Sequence, residues 1–367
     1  MIPVIQITSN LELFMLSLFW TIDLTMNLTM GSRKVLSSGA LVGAIALLAS
    51  CTSAPNPSAP NSSAPNSAQT LTSKPAVIVS NSVLCDLTQQ IAQETIDLKC
   101  LIPGGKDPHT YSPTPDDRKA IETGNLVLYG GYDFEPEVAK LIKAANSKTA
   151  IAVHELAVPK PIMAEEEHDH SDEKKEDKPK ETQPKLEADP HVWHNVKNGM
   201  AIVQVLKTQL IQAAPANTAR YEKNAKDLTD RLTKLDTWVT QSVATIPAAS
   251  KKLVTTHDAL SYYGQAYGIP IEGALQGIST TEKPSAQRVA TLVATIKSTQ
   301  VPTLFAEVSV NPKLIETVAK ESGVKLSATS LVADGLGEPG GPSDTYEKMI
   351  RENTRAIVTG LGGKVVN

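Results

Sequence analysis

The run Ala76-Val77-Ile78-Val79-Ser80 is short, apolar and rich in β-branched residues, and it reads as a buried strand. Working outward from it, the chain alternates. Leu84, Leu87 and Ile91 recur at helical spacing across Leu84 to Glu94. Ile96 to Ile102 is a second strand, closed by the loop signal Pro103-Gly104-Gly105. Thr114-Pro115-Asp116-Asp117 has the chemistry of a helix start: a hydroxyl at the N-cap, proline at the first helical position and acids in the first turn. Leu126 to Tyr129 is a strand, Pro136 to Ala145 a helix and Thr149 to Val153 a strand. Buried strands alternating with helices predict an α/β lobe with a mainly parallel sheet.

The second half repeats the alternation. Strands are expected at Lys252 to Thr256, Thr303 to Ala306 and Lys325 to Ala328. Helices are expected at Ala259 to Tyr267, Ala286 to Ser298, Pro312 to Ser322 and Thr345 to Thr359. Between the halves, Gly199 to about Thr245 is mostly helical, interrupted at Pro215. Tyr221, Leu228, Leu232, Leu235, Trp238 and Val239 form a stripe suited to core packing. The fold expected is two α/β lobes joined by a long helix: a first lobe over 74–197, a linking helix over 198–246 and a second lobe over 247–367. Residues 159–188 break the pattern. They are rich in Pro, Glu, Lys and Asp without periodicity, and read as a charged, disordered loop.

The chain has 367 residues, enough for two domains of ordinary size. A net charge of −4 argues against a nucleic-acid partner, and 4% aromatic content against aromatic platforms for sugars or bases. Met30 opens an export signal with a basic start (Arg33, Lys34), an apolar core from Val35 to Leu48 and the ending Leu48-Ala49-Ser50-Cys51. Residues 1–29 then read as an extension ahead of the true start. The apolar run is shorter than the roughly 20 residues a membrane span needs. Leu-Ala-Ser-Cys resembles a bacterial lipobox, which implies a signal peptide over 30–50 and a lipid on Cys51. Residues 51–73, with Ala-Pro-Asn recurring, suit an extended tether. In an exported protein the remaining pair, Cys85 and Cys100, reads as a disulfide.

Four short segments carry chemistry: Asp107-Pro108-His109, Asp189-Pro190-His191, Thr256-His257-Asp258 and Ala333-Asp334-Gly335. Three neutral imidazoles and one carboxylate are the donors a borderline divalent metal such as zinc prefers. His109 and His257 each follow an expected strand, Asp334 lies in the loop after the last one, and His191 precedes the linking helix. In open parallel sheets ligands bind at the carboxyl ends of strands, so one crevice could gather all four. An Asp-Pro before His109 and His191 stiffens each loop.

Gly105-Lys106-Asp107-Pro108-His109-Thr110-Tyr111-Ser112-Pro113-Thr114-Pro115 resembles the first ligand loop of the TroA-like, cluster A-I, solute-binding receptors of zinc and manganese ABC importers. Asp189 to Trp193, Thr255 to Ala259 and Val332 to Asp334 resemble the second, third and fourth ligand segments, and Phe305-Ala306-Glu307 matches a further family segment. The resemblance covers about Lys74 to the C-terminus. It implies two lobes, a rigid linking helix and one metal between the lobes held by His109, His191, His257 and Asp334. It also implies delivery to a membrane permease rather than catalysis. In that family a Glu at the third position goes with manganese and a His with zinc or with both metals, so His257 favours Zn2+ over the alternative, Mn2+. Zinc receptors also carry a His- and acid-rich loop where 159–188 lies; here it holds only His168 and His170, a possible collecting site. The protein is expected outside the cytoplasm, lipid-anchored through Cys51, as a monomer. A zinc hydrolase with Glu307 as base is the competing class. It lacks a His-Glu-x-x-His motif, and four protein ligands would fill the tetrahedron that catalysis leaves open.

Overall fold

The computed structural model describes residues 74–165 and 186–367. Cys51, His168, His170 and the whole leader lie outside them. The first lobe is built on a four-stranded parallel sheet of order β2-β1-β3-β4, with β1 Ala76–Val79, β2 Asp97–Cys100, β3 Leu126–Tyr129 and β4 Ala150–Ala152. The central strands β1 and β3 are the uninterrupted apolar runs, and they are the most buried. Helices α1 (Ser82–Ala92), α2 (Pro115–Thr123), α3 (Pro136–Ala144) and α4 (Val153–Ala157) connect and follow the strands. Thr114 caps α2 in a reciprocal box with Asp117, and Pro115 opens it, so the helix begins where its sequence signals place it. Cys85 of α1 and Cys100 at the end of β2 are disulfide-bonded, with their Cα atoms 5.9 Å apart. The expected loop at 159–188 begins and ends in a short antiparallel pair, β5 (Met163–Glu165) and β6 (Leu186–Ala188).

The run expected as one linking helix over 198–246 is two helices, α5 (Val196–Ala213) and α6 (Thr218–Ala244). The chain breaks at Ala214-Pro215, where proline cannot donate the hydrogen bond that would continue α5. Met200 pairs with Thr233 and Gln204 with Thr229, so the two helices run antiparallel. On α6 the expected stripe is buried from Tyr221 to Val239, except for Trp238. Trp238 donates its indole N–H to the Val366 carbonyl and lies under Arg351. The stripe joins α1, α5, the second-lobe helix α7 (Ser261–Tyr267) and the C-terminal helix α10 (Tyr346–Gly360) in one core. Gly199 lets α5 and α10 approach closely: a Cβ there would lie 2.3 Å from the Tyr346 hydroxyl.

The second lobe pairs β7 (Leu253–His257) in parallel with β8 (Ile271–Gln276). No strand was expected at β8, whose apolar pattern is broken by Glu272 and Gly273. Beyond β7, Phe305 N–H donates to the Val254 carbonyl, and single parallel bridges join Leu304 to Leu326 and Glu307 to Leu331. The strands expected at 303–306 and 325–328 are therefore reduced to bridges. Past Leu326 the Ser327 hydroxyl accepts the Thr329 N–H and bends the chain out of register. Helices α8 (Ala286–Thr299) and α9 (Lys313–Ser322) cover this sheet. Among the described residues no helix is long and apolar enough to cross a membrane.

Candidate metal centre

The four donors expected from the sequence meet. His109 stands in the loop after β2, His191 just ahead of α5, His257 at the end of β7, and Asp334 in the loop between α9 and α10. One ligand atom from each lies within 4.8 Å of all the others. Asp334 Oδ1 is the hub, 3.0 Å from His257 Nε2, 3.3 Å from His191 Nε2 and 3.6 Å from His109 Nε2. The Nε2 atoms of His109 and His191 are 3.3 Å apart. His191 and His257 are fully buried, and His109 and Asp334 nearly so. Two of these residues come from the first lobe and two from the second; His257 ends β7, and His109 lies in the loop that leaves the carboxyl end of β2, each a parallel strand.

The far sides of the rings are fixed as well. His257 Nδ1–H donates to Glu307 Oε2, while Glu307 Oε1 accepts the backbone N–H groups of Thr256 and His257, each at 3.0 Å. His191 Nδ1–H donates to Asp189 Oδ1 at 2.8 Å. With Nδ1 held as the donor on both rings, Nε2 is the nitrogen turned to the centre, protonated beside Asp334 in the metal-free protein and available as a lone pair once an ion replaces that proton, the arrangement by which outer carboxylates orient metal-binding histidines. Ser309 donates to Asp334 Oδ2 at 3.0 Å, which leaves Oδ1 to the centre. His194 donates its Nε2–H to the Ala333 carbonyl at 2.8 Å and so steadies the loop that carries Asp334. Phe134 packs edge-on against His109 and His191.

In the sequence Asp189 is a loop stiffener, and Glu307 is part of a family segment or a hypothetical base. Both are hydrogen-bond partners of candidate ligand rings. The Asp-x-His spacing alone does not reveal the first, since Asp107 has the same spacing to His109 and makes no bond to its ring. Nothing local reveals the second, because Glu307 lies fifty residues from His257. His154 stands apart from the four, fully buried beside Phe134 and Trp193, and neither ring nitrogen meets a partner with hydrogen-bond geometry.

Electrostatics match this geometry. Burial alone would lower the His257 pKa, but Asp334 and Glu307 outweigh it and raise the pKa well above the ordinary imidazole value. Burial would raise Asp334, yet the imidazoles, His257 foremost, hold it well below the usual carboxylate range. His191 is raised because its bonds to Asp189 and Asp334 overcome burial, whereas burial lowers His109. His154 and His194 are pushed down to about 3 by burial. A cation held here would displace protons from the raised imidazoles and take over their role beside Asp334.

The family model described as zinc-uptake complex component A, periplasmic (ZnuA), matches residues 77–360. The chain belongs to this family. It is 32% identical over 299 residues to the manganese ABC transporter substrate-binding lipoprotein PsaA of Streptococcus anginosus, a match covering 80% of this chain and 91% of that protein. Its identity to the PsaA of Streptococcus mitis is 34% over 292 residues, covering 78% and 88%. Among solved structures, the periplasmic zinc-binding protein TroA from Treponema pallidum superposes with a TM-score of 0.68 at 29% identity, over 78% of this chain and 99% of that one. The ZnuA family comprises solute-binding receptors, so the chain is a metal-binding receptor of an ABC importer and not an enzyme. The hydrolase reading of Glu307 falls with that assignment.

Proposed function

We propose that the protein captures Zn2+ between its lobes through His109, His191, His257 and Asp334 and delivers it to the permease of an ABC importer. One observation carries the reading: three imidazole nitrogens and one carboxylate oxygen converge within 4.8 Å in a buried crevice. Zinc favours four nitrogen and oxygen donors in a tetrahedron, whereas manganese favours more oxygens and higher coordination. The Ser309 bond to Asp334 Oδ2 supports a single oxygen at the centre and hence the smaller coordination number. The names of the PsaA relatives support a second reading, in which the cargo is Mn2+ or either metal. The lipoprotein names of those relatives, with the lipobox-like ending at Cys51, also support an anchored, extracytoplasmic receptor. His168 and His170 would be an auxiliary collecting site on this reading.

The test is metal affinity in wild type and in His257→Ala. The variant should lose most of its zinc affinity, and a variant that binds Zn2+ as tightly as wild type overturns the ligand set. Competition between the two metals, read by elemental analysis of the purified complex, separates the readings. A zinc receptor retains Zn2+ against a large excess of Mn2+, in keeping with the Irving–Williams order.

A further inference from the structure

The tripeptide Asp-Pro-His occurs twice, at 107–109 and 189–191, and the two copies begin alike. In each, the aspartate Oδ1 accepts the backbone N–H of the histidine two residues on, at 2.9 Å. Their remaining bonds differ. Asp189 Oδ1 also accepts the His191 Nδ1–H, and Asp189 Oδ2 has no partner with hydrogen-bond geometry. Asp107 instead turns Oδ2 across the crevice and accepts the Thr280 hydroxyl at 2.6 Å. Asp107 belongs to the first lobe and Thr280 to the second, in the connection between β8 and α8. One carboxylate thus holds a ligand's backbone with one oxygen and the opposite lobe with the other.

Thr280 is tied down in turn. The Gln276 side chain donates to the Thr280 carbonyl at 2.9 Å and to the Glu282 carbonyl at 2.6 Å. Gln276 lies on β8 in register with His257 on β7. A continuous path therefore runs from His109 through Asp107, Thr280 and Gln276 to the strand pair that carries His257. The four donors are buried and come from both lobes, so an ion can leave only if the lobes or their loops part. The His109 loop also meets the second lobe through Gly105 N–H and the Leu336 carbonyl, at 2.8 Å. That bond is backbone to backbone and touches no ligand, whereas Asp107 joins the contact directly to His109.

We propose that Asp107 and Thr280 form an interlobe latch that slows escape of the captured metal. Both are positioning residues that act through His109, and the proposal rests on the four-donor reading above. Breaking the latch should speed release without altering the donors.

The experiment uses Thr280→Val, which keeps the shape and removes the hydroxyl, and Thr280→Ser, which keeps the hydroxyl. Zn2+ release into excess chelator is followed by stopped flow, and the visible spectrum of the Co2+-loaded protein reports the donor set. Thr280→Val should release Zn2+ about fivefold faster than wild type, the scale of one hydrogen bond to a carboxylate at a half-exposed site. Thr280→Ser should stay within about twofold of wild type, because the bond remains. Both Co2+ spectra should match wild type. A Thr280→Val protein that releases at the wild-type rate overturns the latch, as does a serine variant as fast as the valine one. An altered spectrum in Thr280→Val also overturns it, since the hydroxyl would then shape the donor set rather than the exit. A Co2+ spectrum left unchanged by His257→Ala instead overturns the four-donor reading, and the latch with it.

Discussion

Replacing Glu307 by Gln changes one oxygen to an amide nitrogen in a fully buried pocket and leaves the shape intact. Glu307 Oε1 already accepts two backbone N–H groups, from Thr256 and His257 at 3.0 Å each, so the retained amide oxygen should keep that side. The new NH2 then faces His257 Nδ1. Two donors cannot share a hydrogen bond, so the ring must give up its Nδ1 proton and keep the one on Nε2. That nitrogen is 3.0 Å from Asp334 Oδ1 and is the one presented to the metal. Metal binding must then reverse the tautomer and leave a donor facing a donor. Losing a charge-assisted hydrogen bond of this kind costs about 2 kcal/mol, or roughly thirtyfold in affinity. The assay is chelator competition for Zn2+ at neutral pH, with the Co2+ spectrum as a check on the donor set. Zinc affinity in Glu307→Gln within about twofold of wild type would refute the positioning role.

Two further outcomes follow from packing and burial. Gly199→Ala drives a methyl to 2.3 Å from the hydroxyl of Tyr346, a buried ring pinned by its bond to the Trp193 carbonyl, and urea unfolding should show a loss of about 2–3 kcal/mol. His154 is held down to about 3, so between that value and its unfolded value near 6.5 the unfolded chain binds the extra proton and stability falls with falling pH. From pH 7 to 5 this one ring contributes a loss of about 2 kcal/mol, so metal-free His154→Phe should lose that much less than wild type in urea titrations at the two pH values. His191 and His257, with raised pKa values, contribute in the opposite sense in both proteins and cancel from the comparison.

The sequence made the fold legible where a segment states its own conformation. Strands β1 and β3 are unbroken apolar runs, and α2 carries its cap, its proline and its acids in order. Strand β8 is not legible because Glu272 and Gly273 interrupt its apolar pattern, and pairing with its parallel partner β7, one helix earlier, makes it a strand. The same division holds in the site. The four candidate donors stand out in the sequence because each lies beside a turn or stiffening residue at a strand end or loop, and the structure brings their side chains together. Glu307 does not stand out, since its tie to His257 exists only in the folded chain. The two Asp-Pro-His copies mark the limit most clearly: identical in sequence, one orients a ring and the other reaches across the crevice.

That limit bears on the metal. In sequence terms, a His at the third position stands against a Glu. In the structure His257 carries Glu307 behind it, so imidazole and carboxylate act there as a unit, and three carboxylates (Asp189, Glu307 and Asp334) surround the centre. The charge a third-position glutamate would supply is already present. His257→Glu should therefore not turn the site into a manganese site. It would set a second carboxylate against Glu307 in a dry pocket with no N–H between them, and like charges at that range force one to stay protonated. The expected result is weaker binding of both Zn2+ and Mn2+, with Mn2+ affinity recovering only when Glu307→Gln is added to remove the repulsion. Titration of each metal against a competing chelator in the single and double variants reads this directly. Tighter Mn2+ binding by the single variant would mean that Glu307 does not share its charge with the centre, and that residue identity at position 257 alone decides which metal is held.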